Sequence, residues 1–228
     1  YCWGYNYFGT IGDGTQYIPV SAPKQIDVGT SFIDVAAGTK NSCAITSAGL
    51  LKCWGDDADG NVGNGATTGT QLTPVDIDSG TTYSKVFLGY ASGCAITSTN
   101  VLRCWGDNWN SNLGDGTSTQ RNSPKTINSG TGYKMVSIGK RSTCGITTSD
   151  ELKCWGSNGF YQVGDGTTTL RSTPVVIDSG VDYKWISVGA HGGNGTSYDS
   201  GAVCGVTVAG VLKCWGQNPF GQLGLGGN

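Results

Sequence analysis

The sequence contains few residues of the kinds that enzymes use for acid–base chemistry. It has one histidine, His191, and one glutamate, Glu151, among 228 residues. A single histidine leaves almost no material for histidine-based catalysis or for a multi-histidine metal site. We therefore expect no catalytic residue, no metal site and no bound cofactor, and the composition argues against an enzyme.

Charge and long apolar runs are also scarce. Only 13% of the residues are charged, and 14 basic against 16 acidic side chains give a formal net charge of −2. This balance provides no electrostatic footprint for DNA, RNA or an anionic membrane, so we expect no nucleic-acid partner. No apolar run approaches the roughly 18 residues that a spanning helix needs, which predicts no membrane span in this chain. The 39 glycines have no three-residue period, which excludes collagen.

Cysteine, by contrast, is abundant. Nine cysteines are many for a cytosolic protein and indicate disulfides made in an oxidising compartment. We therefore expect an extracellular or cell-surface protein. The sequence starts at Tyr1 without an initiator methionine, and we expect it to be a mature product or an excerpt of a longer protein.

The sequence repeats itself along its length, and the tripeptide Cys-Trp-Gly marks the repeat. The tripeptide begins at five cysteines: Cys2, Cys53, Cys104, Cys154 and Cys214. A glycine-rich segment, GDGT or a near variant, follows each copy, and a proline follows the first four. We interpret 1–228 as a single repeat domain with units of approximately 1–38, 39–89, 90–139, 140–189 and 190–228.

A second cysteine precedes the Cys-Trp-Gly cysteine by ten positions in each full unit. If the two cysteines face each other across a hairpin, the three-residue turns end at residues that tolerate a left-handed backbone: Gly49, Asn100, Asp150 and Gly210. The register also puts the cysteines within disulfide range. It predicts four disulfides: Cys43–Cys53, Cys94–Cys104, Cys144–Cys154 and Cys204–Cys214. Cys2 has no such partner and is predicted to be free or to form an intermolecular bond.

Two further short strands complete each unit. One ends at a glycine in the full units: Gly38, Gly89, Gly139 and Gly189. The prolines introduce the other around isoleucines: Ile26, Ile77, Ile127 and Ile177. Four short strands in some 50 residues without a helical period are typical of a propeller blade, so we predict an all-β propeller with four full repeats and a partial one.

The motif CWG-x-N-x-x-G-x-L-G-D-G-T resembles the repeat of the regulator of chromosome condensation family. The segment that begins at Cys214 is its closest copy, and the resemblance covers essentially the whole chain. It implies a propeller that serves as a protein-binding platform, as in a nuclear nucleotide-exchange factor and in secreted bacterial inhibitors of β-lactamase. The disulfide cysteines are additions suited to a secreted variant. Seven blades of this length would need about 357 residues, so the ring as given is incomplete or smaller.

One departure from the repeat could carry recognition. About ten extra residues lie between Gly189 and Cys204, and this segment, 190–203, contains His191, Tyr198 and Asp199. It is either a neutral excursion or a recognition loop. Asn194-Gly195-Thr196 has the form of a glycosylation acceptor.

The loop after the third strand is rich in aromatic residues. In an antiparallel sheet this loop lies on the same side as the loop between the first two strands, where the extra residues fall. We call the residues predicted on this side the candidate rim: Tyr7, Phe8, Trp109, Phe160, Tyr161, His191, Tyr198, Asp199 and Phe220. Aromatic anchors are typical centres of binding surfaces. The alternative is that Phe8, Phe160 and Phe220 pack inward beneath the loop.

One loop resembles a calcium site in part. Asp57, Asp59 and Asn61 alternate as calcium ligands do, but Val62 stands where an EF-hand needs glycine and no bidentate glutamate follows. We interpret these residues as a solvated turn.

Three classes of function remain open. The first is an extracellular, non-enzymatic scaffold that binds a protein or a surface glycan through the candidate rim. The second is a structural subunit of a cell-surface fibre or appendage that associates with copies of itself through its terminal strands, with Cys2 as an indication. The third is an extracellular carbohydrate-active enzyme, which would need paired carboxylates and is ranked last.

Overall fold

The computed structural model describes residues 1–67, 69–189 and 201–226, which contain seventeen β-strands and no helix. The strands form five sheets. The first has two strands: β1 (Cys2–Gly4) and β2 (Val20–Lys24). The second has four: β3 (Phe32–Ala37), β4 (Asn41–Thr46), β5 (Leu51–Asp56) and β6 (Thr70–Ile77). The third has four: β7 (Tyr83–Leu88), β8 (Ser92–Thr97), β9 (Leu102–Gly106) and β10 (Arg121–Thr126).

The remaining strands repeat this pattern. The fourth sheet has four: β11 (Tyr133–Ile138), β12 (Ser142–Thr147), β13 (Leu152–Gly156) and β14 (Arg171–Val176). The fifth has three: β15 (Tyr183–Val188), β16 (Ala202–Thr207) and β17 (Leu212–Gly216). Within each sheet the strands are neighbours in chain order, and the paired strands run antiparallel. The predicted repeat of short antiparallel strands is confirmed.

The hairpin that carries the cysteines has the predicted register. Cys43 lies directly opposite Cys53 in the ladder between β4 and β5. The structure contains all four predicted disulfides, with Cα atoms 4.0 to 4.1 Å apart: Cys43–Cys53, Cys94–Cys104, Cys144–Cys154 and Cys204–Cys214. The last residue of each turn has a positive φ: Gly49 (81°), Asn100 (66°), Asp150 (69°) and Gly210 (85°). Turn chemistry and cysteine spacing therefore specify the same register.

The fourth strand begins earlier than the sequence predicts. We expected the proline to introduce this strand, but β6 starts at Thr70 and contains Pro74. A proline has no N–H to donate, so it is tolerated here because β6 is an edge strand. The pairing of β5 with β6 also shifts register between Cys53 and Gly55, which leaves Pro74 between the paired residues Gln71 and Val75.

The chain divides into two compact units. Unit 1 comprises Tyr1–Thr99, Arg103–Asp107 and Gln120–Lys125, and unit 2 comprises Asn100–Leu102, Asn108–Thr119 and Thr126–Asn228. Each has a core that contains disulfides. The core of unit 1 includes buried Cys43, Cys53, Ile45, Leu51 and Trp105. The core of unit 2 includes Cys144, Cys154, Ile146, Leu152 and Tyr183.

Tryptophan indoles join successive repeats within each unit. In unit 1, Nε1 of Trp54 and of Trp105 donates to the carbonyl oxygens of Thr10 (2.8 Å) and Asn61 (3.0 Å). In unit 2, Nε1 of Trp155 and of Trp215 donates to those of Asn112 (2.9 Å) and Gln162 (3.1 Å). The Cys-Trp-Gly tryptophan thus binds the glycine-rich loop of the preceding repeat.

Candidate functional site

An asparagine orders the loop after the third strand. Asn108 is fully buried, and its Oδ1 accepts from the N–H of Leu113 at 3.0 Å. Its Nδ2 donates to Asp115 Oδ1 and to the carbonyl oxygens of Thr117 and Thr119, each at 3.1 Å. The side chain thereby forms hydrogen bonds with main-chain N–H and carbonyl groups on both sides of the loop. The same arrangement recurs at Asn158.

Main-chain hydrogen bonds connect two neighbouring loops at one end of a sheet. The N–H of Asp107 donates to the carbonyl oxygen of Ala91 at 2.8 Å in unit 1. The N–H of Ser157 donates in the same way to Arg141 at 2.8 Å in unit 2. Each bond links the loop between the first two strands of a sheet to the residue after its third strand.

The loops of unit 2 display large aromatic side chains. The exposed fraction is 80% for Trp109, 55% for Tyr161, 39% for Phe160 and 77% for Phe220. Trp109, Tyr161 and Phe220 are therefore mostly exposed, whereas more than half of the Phe160 surface is covered. An ordered loop that presents exposed rings can supply the buried centre of an interface with little loss of conformational entropy.

Unit 1 carries a separate aromatic cluster. Tyr7 makes edge contacts with Phe8 and Tyr17 at centroid distances of 5.0 and 4.8 Å and stacks with Tyr5 at 6.0 Å. The ammonium of Lys40 lies 5.5 Å from the centroid of the Phe8 ring. Tyr17 was not among the predicted rim residues. It departs from the repeat, since Thr119 and Thr169 stand at the equivalent positions.

Four residues singled out in the sequence cannot be placed. His191, Asn194, Tyr198 and Asp199 lie outside the described residues. Their assignment to the candidate rim and to glycosylation stays a prediction.

Cys2 lies in a groove of unit 1. It is the only one of the nine cysteines, all within the described ranges, that forms no disulfide. The groove, of about 560 Å³, is lined by Tyr1, Trp3, Val35 and Ala37 among others. Burial raises the pKa of the Cys2 thiol, although the nearby N-terminal ammonium acts in the opposite direction.

The interpretation of Asp57, Asp59 and Asn61 as a solvated turn is wrong for two of them. Asp57 and Asn61 are fully buried. Asp57 occupies the position of Asn108 in its own repeat and accepts from the N–H of Val62 at 3.1 Å. Its side chain is therefore part of the loop interior.

Carboxylates and metal-ligating side chains are otherwise dispersed. Glu151 forms an ion pair with Lys153 at 3.2 Å. Within 1–67, 69–189 and 201–226, no group of three histidine, cysteine, aspartate or glutamate side chains could hold a metal ion. No helix in the same ranges is long and apolar enough to cross a membrane.

Comparison with known proteins identifies the repeat. Models of the regulator of chromosome condensation (RCC1) repeat match residues 1–45, 32–61 and 135–162. The chain carries RCC1 repeats. It is 30% identical to the human E3 ubiquitin-protein ligase HERC2 over 51% of this chain and 2% of that protein. It is also 30% identical to the ultraviolet-B receptor UVR8 of Arabidopsis thaliana over 54% of this chain and 28% of the receptor.

Solved structures show that the fold is that of RCC1 propellers. Yeast RCC1 (Prp20), solved bound to Kap60, is similar with a TM-score of 0.81 and 16% identity, over 99% of this chain and 54% of that one. Human WBSCR16 is similar with a TM-score of 0.78 and 19% identity, over 96% and 57%. The chain thus spans about half the length of these structures and less of the curated relatives. RCC1-type propellers are a class of protein-binding scaffold.

Proposed function

We propose that this protein is a non-enzymatic binding scaffold whose partner docks on the aromatic loops of unit 2. The observation that carries the proposal is the exposure of Trp109 and Tyr161 on loops whose backbone is held by buried Asn108 and Asn158. Exposed aromatic rings on an ordered backbone are costly to keep in water and effective in an interface.

The relatives favour a protein as the partner. The yeast RCC1 (Prp20) structure contains Kap60 bound to that protein, and a second yeast structure is described with binding properties to Gsp1p and histones. Kap60, Gsp1p and histones are named as partners of the yeast protein, and for this chain we propose only that the partner is a protein. A surface glycan is the alternative occupant, because tyrosine and tryptophan rings also stack on sugars.

We place this activity in an oxidising, extracellular compartment. Support comes from the four disulfides, whose cysteines in the second, third and fourth sheets are fully or almost fully buried. Disulfides of this kind are typical of secreted proteins. Alkylation in denaturant without reductant, on the protein as isolated from its native compartment, should leave eight cysteines unlabelled, and labelling of all nine would place it in a reducing compartment.

Photocrosslinking from two tryptophan positions tests the binding surface. A benzoylphenylalanine at position 109 should crosslink a partner on native cell surfaces, whereas the same residue at position 185 should not. Trp185 is a matched control because it is 59% exposed and lies in unit 2, on β15. Equal crosslinking from both positions would refute the proposal. Prior protease treatment of the cells should abolish the crosslink, and loss only after periodate oxidation would identify a glycan.

Self-association through β1 is a second proposal, favoured by the groove around Cys2. Among the described residues, β1 pairs with β2, and in this second proposal its other edge pairs with a strand from a second copy. Such copies could form a fibre or an appendage. Light scattering of the 228-residue chain should show an oligomer that reductant weakens. A monomer with one titratable thiol would refute this second proposal and leave the first intact.

A further inference from the structure

The fourth repeat lacks one half of an ion pair that the second repeat contains. In the second repeat, Nζ of Lys40 lies 3.5 Å from Asp56 Oδ2, and the main-chain N–H of Asp56 donates to the carbonyl oxygen of Lys40 at 2.9 Å. The equivalent residues of the fourth repeat are Arg141 and Ser157, and the same main-chain bond joins them at 2.8 Å. The backbone geometry and the cation are thus kept, and the carboxylate is lost.

Arg141 has no carboxylate partner of its own. The aspartate in the loop of the same repeat, Asp165, is engaged by Arg171 at 2.6 Å and by the amide of Asn158 at 3.0 Å. Within 1–67, 69–189 and 201–226, no ion pair or side-chain hydrogen bond reaches Arg141, which is partly exposed. A guanidinium in this state gains from a carboxylate that accepts two parallel hydrogen bonds.

Arg141 lies between the two loops that present Trp109 and Tyr161. At the second residue of β12, Thr143 Oγ1 donates to the carbonyl oxygen of Asn112 at 2.8 Å, which connects the start of β12 to the Trp109 loop. On the other side, the carbonyl oxygen of Arg141 accepts from the first residue of the Tyr161 loop at 2.8 Å. All of these residues belong to unit 2. A cation and two exposed rings therefore occur on adjoining loops.

Tyr161 occupies a backbone position that favours glycine. Its φ is 62°, and the equivalent residues of the first, second and fifth repeats are glycines with φ from 65° to 73°: Gly9, Gly60 and Gly221. A side chain in this left-handed conformation is unfavourable. The ring makes no aromatic contact or side-chain hydrogen bond in the described part of the chain. A strained residue that the fold does not use is typical of a binding site.

We propose that Arg141 binds a carboxylate of the protein partner, an aspartate or glutamate flanked by apolar residues that pack on Trp109 and Tyr161. This inference rests on the proposed function and specifies the partner as a protein with an acidic segment. Arginine, tryptophan and tyrosine are the residues most enriched at the energetic centre of interfaces. The partner supplies the acid that Asp56 supplies to Lys40 within the second repeat, and the rings exclude water that would screen the pair.

A random dodecapeptide library displayed on phage and panned on the immobilised 228-residue chain tests the proposal. The enriched peptides should contain more aspartate and glutamate than the input library. Synthetic copies should bind Arg141→Gln with a Kd about tenfold to a hundredfold higher than that of the parent chain. Lys184→Gln is the matched control, because it removes the same charge from an exposed position of unit 2, on β15, and it should bind as the parent does. Absence of enrichment, or peptides that bind Arg141→Gln as tightly as the parent, would overturn the proposal.

Ser157→Asp gives a second test that leaves Arg141 in place. The change recreates the acid found at Asp56 and Asp107, so the variant should fold with a Tm within about 2 °C of the parent. The new carboxylate should pair with Arg141 and compete with the peptide, which should weaken binding about tenfold. Ser157→Asn, a neutral change of similar size, should weaken binding much less. Equal effects of the two variants would indicate steric exclusion and contradict the proposal.

Tyr161→Gly separates binding from stability. Glycine relieves the left-handed backbone, so the Tm should stay the same or rise. Peptide binding should nevertheless weaken about tenfold, because an aromatic anchor is lost. Unchanged binding would exclude Tyr161 from the contact and overturn its part in the proposal.

Crosslinking on native cell surfaces separates this inference from the proposed function. If benzoylphenylalanine at position 109 crosslinks a partner, Arg141→Gln should lower the yield, and so should amidation of the cells' carboxylates before the chain is added. Crosslinking that neither change lowers would uphold the proposed function and overturn the acidic partner. Crosslinking that sialidase alone abolishes would assign the carboxylate to a glycan and would also overturn the proposal.

Discussion

The indole Nε1–H of Trp105 donates a hydrogen bond to the main-chain oxygen of Asn61 at 3.0 Å, and both residues are fully buried. The bond connects β9 to the loop that follows β5. The same carbonyl oxygen also accepts from Nδ2 of Asn41 at 2.7 Å, and the Trp105 ring fills the space beneath the glycine-rich segment. One side chain thus supplies both the packing and the polar contact between two repeats.

Trp105→Phe tests the contribution of this hydrogen bond. Phenylalanine keeps a ring but removes the indole donor, so the carbonyl oxygen of Asn61 retains only the hydrogen bond from Asn41 Nδ2. We expect a loss of about 1–3 kcal/mol in the free energy of unfolding, from one lost hydrogen bond and the smaller ring, measured by urea denaturation with the disulfides intact. Trp185→Phe, at an exposed position, is the control and should change it by less than about 0.5 kcal/mol. Equal losses would show that the hydrogen bond contributes nothing.

Gly114→Ala tests the packing of the glycine-rich loop against the Trp155 indole in unit 2. A Cβ at Gly114 would lie 2.6 Å from Trp155 Nε1, and its φ is +80°. Gly130 has a similar φ of +87° but nothing within 4 Å of its Cβ position. Gly130→Ala should therefore cost only the left-handed backbone penalty of about 1–2 kcal/mol. Gly114→Ala should cost about 1–3 kcal/mol more because the indole must move. Chemical denaturation of both variants gives the difference, and no difference would contradict the steric account.

Local features of this fold were predictable from the sequence. The ten-residue spacing of Cys43 and Cys53, and turn residues such as Asn100 and Asp150, specify a hairpin register without knowledge of any neighbour. The tryptophan hydrogen bonds were not predictable, because a tripeptide does not reveal which loop another repeat places above its indole. Pro74 misled the prediction of the fourth strand, since only the sheet order shows that this strand is an edge.

The exposure of the candidate-site residues was also predictable from the sequence only in part. Exposure of Trp109 and Tyr161 follows from their place at the tips of loops. Burial of Asp57 does not, because an aspartate among glycines and polar residues is typical of a solvated turn. Alignment of the repeats with one another could have predicted this burial, since Asp57 and Asn64 exchange the residue types of Asn108 and Asp115.

Removal of one disulfide should destabilise the protein without altering the others. Replacing Cys94 and Cys104 together by alanine opens a ten-residue separation, and we expect a loss of roughly 2–3 kcal/mol from the gain in unfolded-chain entropy. Urea denaturation measures the loss. Peptide mapping without reductant should find the three remaining links within their own repeats, and a link between repeats would contradict the hairpin register.

Acid should destabilise the protein partly through Asp165. Burial alone would raise the pKa of this carboxyl, but hydrogen bonds from Thr167, Arg171 and Asn158 outweigh it and lower the pKa to about 2. Arg171 Nε donates to Asp165 Oδ2 at 2.6 Å. Because the folded-state pKa lies below the unfolded value of about 3.9, the carboxylate contributes stability above pH 4 that is lost as the pH falls toward 2.

Asp165→Asn isolates this contribution, because the amide cannot ionise. The variant should be less stable than the parent chain at pH 6, and the difference should shrink between about pH 4 and pH 2 as the parent protonates. Asp182→Asn makes the same change of charge at an exposed position and is the control. Unfolding free energies from urea denaturation at pH 2, 3, 4 and 6 give the comparison. A constant gap between Asp165→Asn and the parent would show that the aspartate acts through its shape and neutral hydrogen bonds, and not through its charge.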